Sequence, residues 1–88
     1  MVISMQDIYL TDNAEDKLRR LRLEEKDVYL IIRYGKRSKA RRSGFIHYVP
    51  KKLIEKNRTF EKYKDIFIIE REGRVIDIFK NSKFRVLR

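Results

Sequence analysis

A pair of apolar segments separated by a short turn signal restricts the fold of this chain more than any other feature. Residues 65–70 read Asp-Ile-Phe-Ile-Ile-Glu, and residues 74–79 read Arg-Val-Ile-Asp-Ile-Phe. Glu72 and Gly73 lie between them, and glycine is favoured in the tight turns that join antiparallel strands. The continuous apolar run at 65–70 indicates a strand that is covered on both sides. The chain is therefore predicted to contain a central antiparallel hairpin.

Two amphipathic helices are predicted in the N-terminal part, after a short edge strand at 7–10. Asp12 and Glu15 are spaced as a capping pair at the start of the first helix, predicted over 13–22. The second helix opens at Glu24 and stops at Gly35. Apolar residues recur at helical spacing on one face of each helix: Ala14, Leu18 and Leu21 in the first, and Val28, Ile31 and Ile32 in the second.

Between the second helix and the hairpin, the sequence predicts less regular structure. Residues 36–43 are predicted to form a basic loop, and residues 44–49 a strand that ends at Pro50. Residues 51–64 are compatible with either a short helix or a strand. The whole order predicts a single α+β domain spanning residues 1–88, with an N-terminal helical pair packed on an antiparallel sheet of three or more strands.

Positive charge is concentrated in the middle and at the end of the chain. The 88 residues include 23 Lys and Arg against 13 Asp and Glu, which gives a formal net charge of +10. Residues 33–58 contain ten basic groups and one acid, Glu55, whereas residues 1–32 and 59–79 are each slightly acidic. A basic tail at 80–88 adds four more cations. Segregated positive charge of this kind favours contact with polyanions such as nucleic acids.

The composition also argues against several classes of protein. No stretch approaches the roughly 20 apolar residues of a membrane span. Residues 1–6 lack the basic start and long apolar run of a signal peptide, which predicts a cytoplasmic protein. The absence of cysteine excludes disulfides and thiolate metal sites, and the acidic residues show no metal-ligand spacing around the single histidine, His47. No metal or other cofactor is therefore expected.

Several short motifs resemble a branch of small domains in the RelE/ParE-like toxin superfamily, over about residues 8–80. That branch typically opens its first helix with Thr-x-His-Ala-x-x-Arg and ends its second near x-Gly-Lys-Arg. The matching pieces here are Ala14, Tyr34-Gly-Lys-Arg37, Tyr48 followed by Lys51 and Lys52, and the last strand at 74–79. This chain departs from the family pattern at Asn13 (His in the family), Lys17 (Arg) and Asp77 (Thr).

The resemblance implies a RelE-like fold and an action on RNA or on the ribosome. It also implies a small acidic, antitoxin-like protein that covers the basic face. Toxins of this kind cleave RNA at basic, metal-free sites, where cations stabilise the phosphate and side chains transfer protons. The departure at Asn13 means that a chemical role of the family histidine would be lost here, whereas a role in capping the helix would be kept.

The candidate nucleic-acid-binding residues are cations interleaved with aromatic residues, a pattern that suits phosphate contact and base stacking. They are Lys36, Arg37, Lys39, Arg41, Arg42, Lys51 and Lys52, with Arg85 of the tail added by analogy with the toxins. His47 and Tyr48 are the candidates for acid–base catalysis or stacking. Alternating strand positions also allow His47 to be a half-buried sheet residue, and Phe60 with Tyr63 to belong to the core instead of a stacking platform.

Two alternatives to a toxin-like RNA-binding protein or ribonuclease remain open from the sequence. One is a non-catalytic DNA- or RNA-binding accessory protein, of viral or plasmid origin. The other is a protein-interaction module whose high content of charge, 41% of residues, suits a thermophile with surface ion-pair networks. The accessory protein is expected to bind nucleic acid without cleaving it, unlike a ribonuclease. The interaction module is expected not to bind nucleic acid at about 0.15 M salt, because exposed charges are then screened beyond about 8 Å.

Overall fold

The fold is known from a computed structural model, which describes residues 8–40 and 44–83. The elements are β1 (Tyr9–Leu10), α1 (Asp12–Arg20), α2 (Glu25–Tyr34), β2 (Lys36–Lys39), β3 (Phe45–Tyr48), α3 (Lys51–Lys56), a 3-10 helix (Arg58–Tyr63), β4 (Ile66–Arg71) and β5 (Arg74–Lys80). The strands form one sheet in the order β1-β5-β4-β3-β2. Because β1 runs parallel to β5 while the other neighbours are antiparallel, the sheet is mixed. The α+β prediction is confirmed, and the prediction of a purely antiparallel sheet is wrong.

The predicted hairpin is confirmed as β4 and β5. Glu72 and Gly73 have φ values of 53° and 77°, so both central residues of the turn are left-handed. Two such residues form the type I′ turn, whose twist matches that of the strands it joins. The register shifts by one residue between Glu70 and Ile69, and beyond this irregularity Ile68 lies opposite Ile78 and Phe67 opposite Phe79.

One apolar cluster joins the helices to the sheet. Ile68 and Ile78 are fully buried at the centre of this cluster. The predicted apolar faces of both helices point into it: Ala14 and Leu18 from α1, and Val28 and Ile31 from α2, are buried, while Leu21 and Ile32 pack at its margin. The 3.6-residue pattern thus identified the inward face of each helix correctly.

Helix α1 begins one residue earlier than predicted, because Thr11 is its N-cap. The Thr11 hydroxyl accepts the N–H of Ala14 at 3.2 Å, and the Thr11 N–H donates to the Val75 carbonyl at 3.0 Å. Pairing with β5 therefore fixes Thr11 as the last extended residue before the helix. Asp12 and Glu15 lie in the first turn, where the helix dipole favours acids, but they are not the capping pair that the sequence predicted.

The three positions at which the chain departs from the toxin pattern lie together between α1 and β5. The Asn13 amide donates to the Ile76 carbonyl at 2.8 Å, and the Lys17 ammonium lies 3.3 Å from the Asp77 carboxylate. β1 pairs with β5 only at Arg74 and Val75. Beyond that point the Asn13 amide bonds the β5 backbone, and Lys17 pairs with a β5 side chain. These contacts between α1 and β5 give Asn13, Lys17 and Asp77 a structural role.

A capping box at the start of α2 also holds the 3-10 helix in place. The Asp27 carboxylate accepts the Glu24 N–H at 2.8 Å and the Tyr63 hydroxyl at 2.5 Å, and it lies 3.0 Å from the Lys62 ammonium. Burial by itself raises the pKa of Asp27, but these hydrogen bonds and the charge of Lys62 outweigh burial and hold the pKa below its ordinary value. Burial and the nearby carboxylate raise the pKa of Tyr63.

The segment 36–43 is not a loop throughout, as the sequence predicted. Lys36–Lys39 forms the edge strand β2, with Lys36 opposite Tyr48 and Arg37 opposite His47. Lys and Ser have low strand propensity, so this strand exists because β3 offers it an unpaired edge. Charged residues are common on such edges, where they discourage pairing with other chains. Residues 41–43 lie outside the described part of the chain.

The ambiguous segment 51–64 is helical, formed by α3 and the 3-10 helix. Tyr63 is buried in the core and Phe60 packs against it, so the core interpretation of these two aromatic residues is confirmed over the stacking platform. Within residues 8–40 and 44–83, no helix combines the length and the apolar character needed to cross a membrane.

Candidate nucleic-acid interface

A cavity lined by lysines lies where α2, β2 and α3 meet. Its volume is about 490 Å³. The lining residues come from the end of α2, the first residue of β2 and the first turns of α3: Tyr34, Lys36, Pro50, Lys51, Lys52, Leu53 and Lys56. Two chain segments that are distant in sequence, 34–36 and 50–56, therefore build one concave surface.

Gly35 allows these two segments to approach each other. A Cβ atom at this position would lie 2.3 Å from the Tyr48 carbonyl oxygen and 2.5 Å from the Ile31 carbonyl oxygen. Both neighbours are backbone atoms, so neither can swing aside as a flexible side chain would. The absence of a side chain at Gly35 lets the end of α2 lie against β3 and places Tyr34 and Lys36 beside the start of α3.

Every charged side chain among the described residues that line the cavity is positive. These side chains are Lys36, Lys51, Lys52 and Lys56. Among the ion pairs of the described ranges, none includes any of these four lysines. Like charges gathered around one concavity repel each other and raise the local concentration of anions. The cavity is therefore suited to an anionic ligand.

A second, smaller depression beside the cavity is lined by both basic and acidic residues. Its volume is about 290 Å³, and it is lined by Lys51, Ile54, Glu55, Arg58, Glu61 and Lys64. Glu61 lies 3.9 Å from Arg58, and Glu55 contributes another carboxylate, so the cations here are accompanied by acids. The first cavity, hereafter the lysine cavity, is therefore the candidate site for an anion.

Tyr34 gives the lysine cavity an exposed aromatic wall. Its relative exposure is 53%, whereas most large apolar side chains of the described residues are buried or half-buried. The Tyr34 ring centroid lies 6.1 Å from that of Phe60, which in turn lies 6.1 Å from that of Tyr63. The row Tyr63–Phe60–Tyr34 therefore runs from the buried Asp27 hydrogen bond out to the cavity.

The structure divides the predicted binding residues into three groups. Lys36, Lys51 and Lys52 line the lysine cavity. Arg37 and Lys39 face the other side of β2, because successive strand residues alternate, and the Arg37 guanidinium lies 4.5 Å from the centroid of the Phe45 ring. The remaining predicted residues, Arg41, Arg42 and Arg85, lie outside the described part of the chain.

His47 and Tyr48, the predicted acid–base candidates, occupy opposite faces of β3. His47 is 4% exposed, and its Nε2 atom lies 2.6 Å from the Glu70 Oε1 atom. Tyr48 points to the other face, where its ring centroid lies 6.1 Å from that of Phe67. The two side chains therefore cannot act on the same bond of a substrate. Catalysis by either of them stays a prediction.

Two residues of the lysine cavity, Tyr34 and Lys56, were not among the predicted binding residues. Lys56 follows Lys52 by four residues, a spacing that identifies a shared face only once 51–56 is known to be a helix. Tyr34 follows Ile31 by three residues, so helical periodicity alone would place it near the buried face. The structure nevertheless exposes Tyr34, the last residue of α2, so its place at the cavity could not be read from the sequence.

No family model, curated protein or solved structure matches this chain. Within residues 8–40 and 44–83, no three His, Asp or Glu side chains are placed to share a metal ion. The lysine cavity is therefore identified as a candidate interface by its geometry and its charge.

Proposed function

We propose that this protein binds nucleic acid and that the lysine cavity holds part of the phosphate backbone. The observation that carries this proposal is the convergence of four lysines beside an exposed tyrosine, with no acid among the described lining residues. The net charge of +10 adds a long-range attraction that steers polyanions toward the protein. Lysines act on phosphates as flexible point charges, which suits a contact that is independent of sequence.

The proposal predicts a defined dependence of affinity on salt. Binding through the four lysines of the cavity would release counterions and give a log–log slope of about −3 for single strands. Titration of fluorescently labelled oligonucleotides by anisotropy, between about 0.05 and 0.2 M salt, measures this slope. A slope of zero, or no binding at the lower salt concentration, would overturn the proposal.

Charge reversal in the lysine cavity is expected to weaken binding. The double variant Lys51→Glu/Lys52→Glu removes two phosphate contacts, so the slope for single strands should fall by about 1.4 and the affinity should fall for every sequence tested. Both residues are exposed and outside the core, so the fold should be retained. Anisotropy titration measures the binding, and circular dichroism checks the fold.

The matched control is Arg19→Glu/Arg71→Glu. These two exposed arginines lie on α1 and β4, outside the lysine cavity, and their reversal changes the net charge by the same amount. If binding used only the total charge, both double variants would lose affinity equally. Equal losses would therefore contradict a site at the lysine cavity, whereas a loss confined to the Lys51/Lys52 variant supports it.

We further propose that the protein is related to RelE/ParE-type toxins. This relationship is supported by the place of the Tyr34-Gly-Lys-Arg37 segment at the end of α2, where the family motif lies, and by the passage from two helices into hairpin-connected strands. In this interpretation an acidic antitoxin-like protein would cover the lysine cavity. The burial of His47 behind Glu70 favours binding without cleavage at that position.

Cleavage assays separate this proposal from simple binding. End-labelled RNA is incubated with the protein in EDTA, with and without ribosomes, and the strand lengths are read on a denaturing gel. Shortened RNA that is lost in His47→Ala, a variant first checked for folding, would establish a ribonuclease that uses this residue. Intact RNA in both arms, together with a salt-dependent shift on native gels, is the result expected for a binding protein.

A further inference from the structure

The lysine cavity carries a second inference, which rests on the proposed function and concerns the form of the nucleic acid. We propose that the cavity takes one unpaired nucleotide of a single strand, with its base stacked on Tyr34 and its flanking phosphates held by Lys36 on one side and Lys51 and Lys52 on the other. The ligand class is single-stranded polynucleotide.

The aromatic row behind Tyr34 fixes its ring for stacking. Tyr34 packs at 35° to the Phe60 ring, and Phe60 packs at 35° to the Tyr63 ring. Tyr63 is 3% exposed and donates its hydroxyl proton to the Asp27 carboxylate at 2.5 Å. The exposed end of the row is thus supported from the core. A supported ring loses less conformational freedom on binding than a mobile one, so less of the favourable free energy of stacking is offset by lost entropy.

The position of Tyr34 among the cations matches the pattern of a single-strand site. Such sites combine a positive groove that follows the backbone with aromatic rings on which unpaired bases stack. Tyr34 lies between Arg33, whose guanidinium is 5.8 Å from the centroid of its ring, and Lys36 at the start of β2. Phosphate and base contacts are therefore available at the same place.

The size of the cavity suits a ligand as large as one nucleotide, and stacking on Tyr34 requires that its base be unpaired. Cavities of roughly 300–1,000 Å³ accommodate ligands of nucleotide or drug size, and the volume here is about 490 Å³. In a duplex both faces of each base are already stacked, and extruding one base costs additional free energy. Tyr34 can therefore contribute to the affinity for single strands but not for duplexes.

The test compares Tyr34→Ala with wild type on three probes: a single-stranded 12-nucleotide oligomer, its duplex, and a single strand with abasic sites. Removal of the ring should lower affinity for the single strand about fivefold or more, because one stacked base is worth that factor or more. Affinity for the duplex and for the abasic strand should be unchanged. Tyr34→Phe, which keeps the ring, should bind as wild type. RNA and DNA versions of each probe distinguish the two sources of single strands.

The control variant is Tyr9→Ala. Tyr9 is the other exposed tyrosine of the described residues, 61% exposed at the β1 edge, where the Arg74 guanidinium lies 5.7 Å from the centroid of its ring. Its removal should leave single-strand affinity unchanged. Thermal unfolding of all three tyrosine variants checks that the fold is retained.

The outcomes separate this inference from the proposed function. Suppose that wild type binds and that Lys51→Glu/Lys52→Glu weakens binding. If Tyr34→Ala then binds single strands as wild type does, stacking of an unpaired base on Tyr34 is refuted, whereas phosphate binding at the lysine cavity is supported. An equal loss on single strand and duplex would refute it as well, since stacking on an unpaired base would then not be involved. If wild type binds no probe at the lower salt concentration, the proposed function itself fails.

Discussion

Replacing Asp27 with alanine is expected to lower the free energy of unfolding by about 3 kcal/mol at pH 7, because the change leaves a buried hydroxyl unsatisfied, at about 1–3 kcal/mol, and removes a helix cap, at about 1 kcal/mol. Asp27 is 2% exposed. Its loss leaves the buried Tyr63 hydroxyl without its acceptor and removes the capping box of α2. Urea unfolding followed by far-ultraviolet circular dichroism measures the difference.

Asp16→Ala is the control for this variant. Asp16 also lies on a helix and pairs with Arg20 at 3.0 Å, but both side chains are exposed. An exposed pair of this kind is worth about 0.5 kcal/mol or less, because water screens it. Losses of similar size in the two variants would show that the Asp27 contacts are no more important than a surface ion pair.

The stabilisation by Asp27 is also expected to depend on pH. The folded-state pKa lies below the ordinary value of 3.8, so the unfolded chain takes up the proton first as the pH falls. The contribution of Asp27 is therefore fully present at neutral pH and is lost below about pH 4, as the pH falls through the folded-state pKa. The stability difference between wild type and Asp27→Asn should shrink in that range.

Replacing Gly35 with alanine is expected to affect both the fold and the site. The added Cβ would meet two backbone oxygens within 2.5 Å, so α2 and β3 would have to separate. Overpacking of this kind costs typically about 1–3 kcal/mol. Since the separation moves Tyr34 and Lys36 away from the start of α3, nucleic-acid affinity should fall as well. Urea unfolding and anisotropy titration measure the two effects.

Gly73→Ala distinguishes the effect on the site from the loss of stability. Gly73 has φ 77° and no atom within 4 Å of an added Cβ, so alanine there is strained by its backbone conformation and not by a clash. The left-handed conformation costs an alanine about 1 kcal/mol. This variant should lose stability yet bind nucleic acid as wild type does. If Gly35→Ala bound equally well, the close approach of α2 to β3 would not be needed for the site.

The elements that were predictable from sequence are those whose signals are local. The β4–β5 hairpin follows from two apolar runs and a Glu-Gly turn, and the inward faces of α1 and α2 follow from apolar residues at helical spacing. Each signal lies within about a dozen residues, where backbone preference and periodicity act directly. The concentration of cations in residues 33–58, and hence the expected class of ligand, was equally visible in the sequence.

Tertiary structure alone decided the elements whose formation depends on a partner segment and not on their own residues. β2 is a strand because β3 offers it an open edge, despite a sequence of lysine, arginine and serine. Because successive residues of a strand alternate, Lys36 and Arg37 lie on opposite faces of β2. Cations that are adjacent in the sequence therefore belong to two different surfaces. The lysine cavity exists because Gly35 lets the end of α2 approach the chain leading into α3, some 15 residues further on. Local propensity carries no information about such a contact, since its free energy is gained only when both segments are already in place.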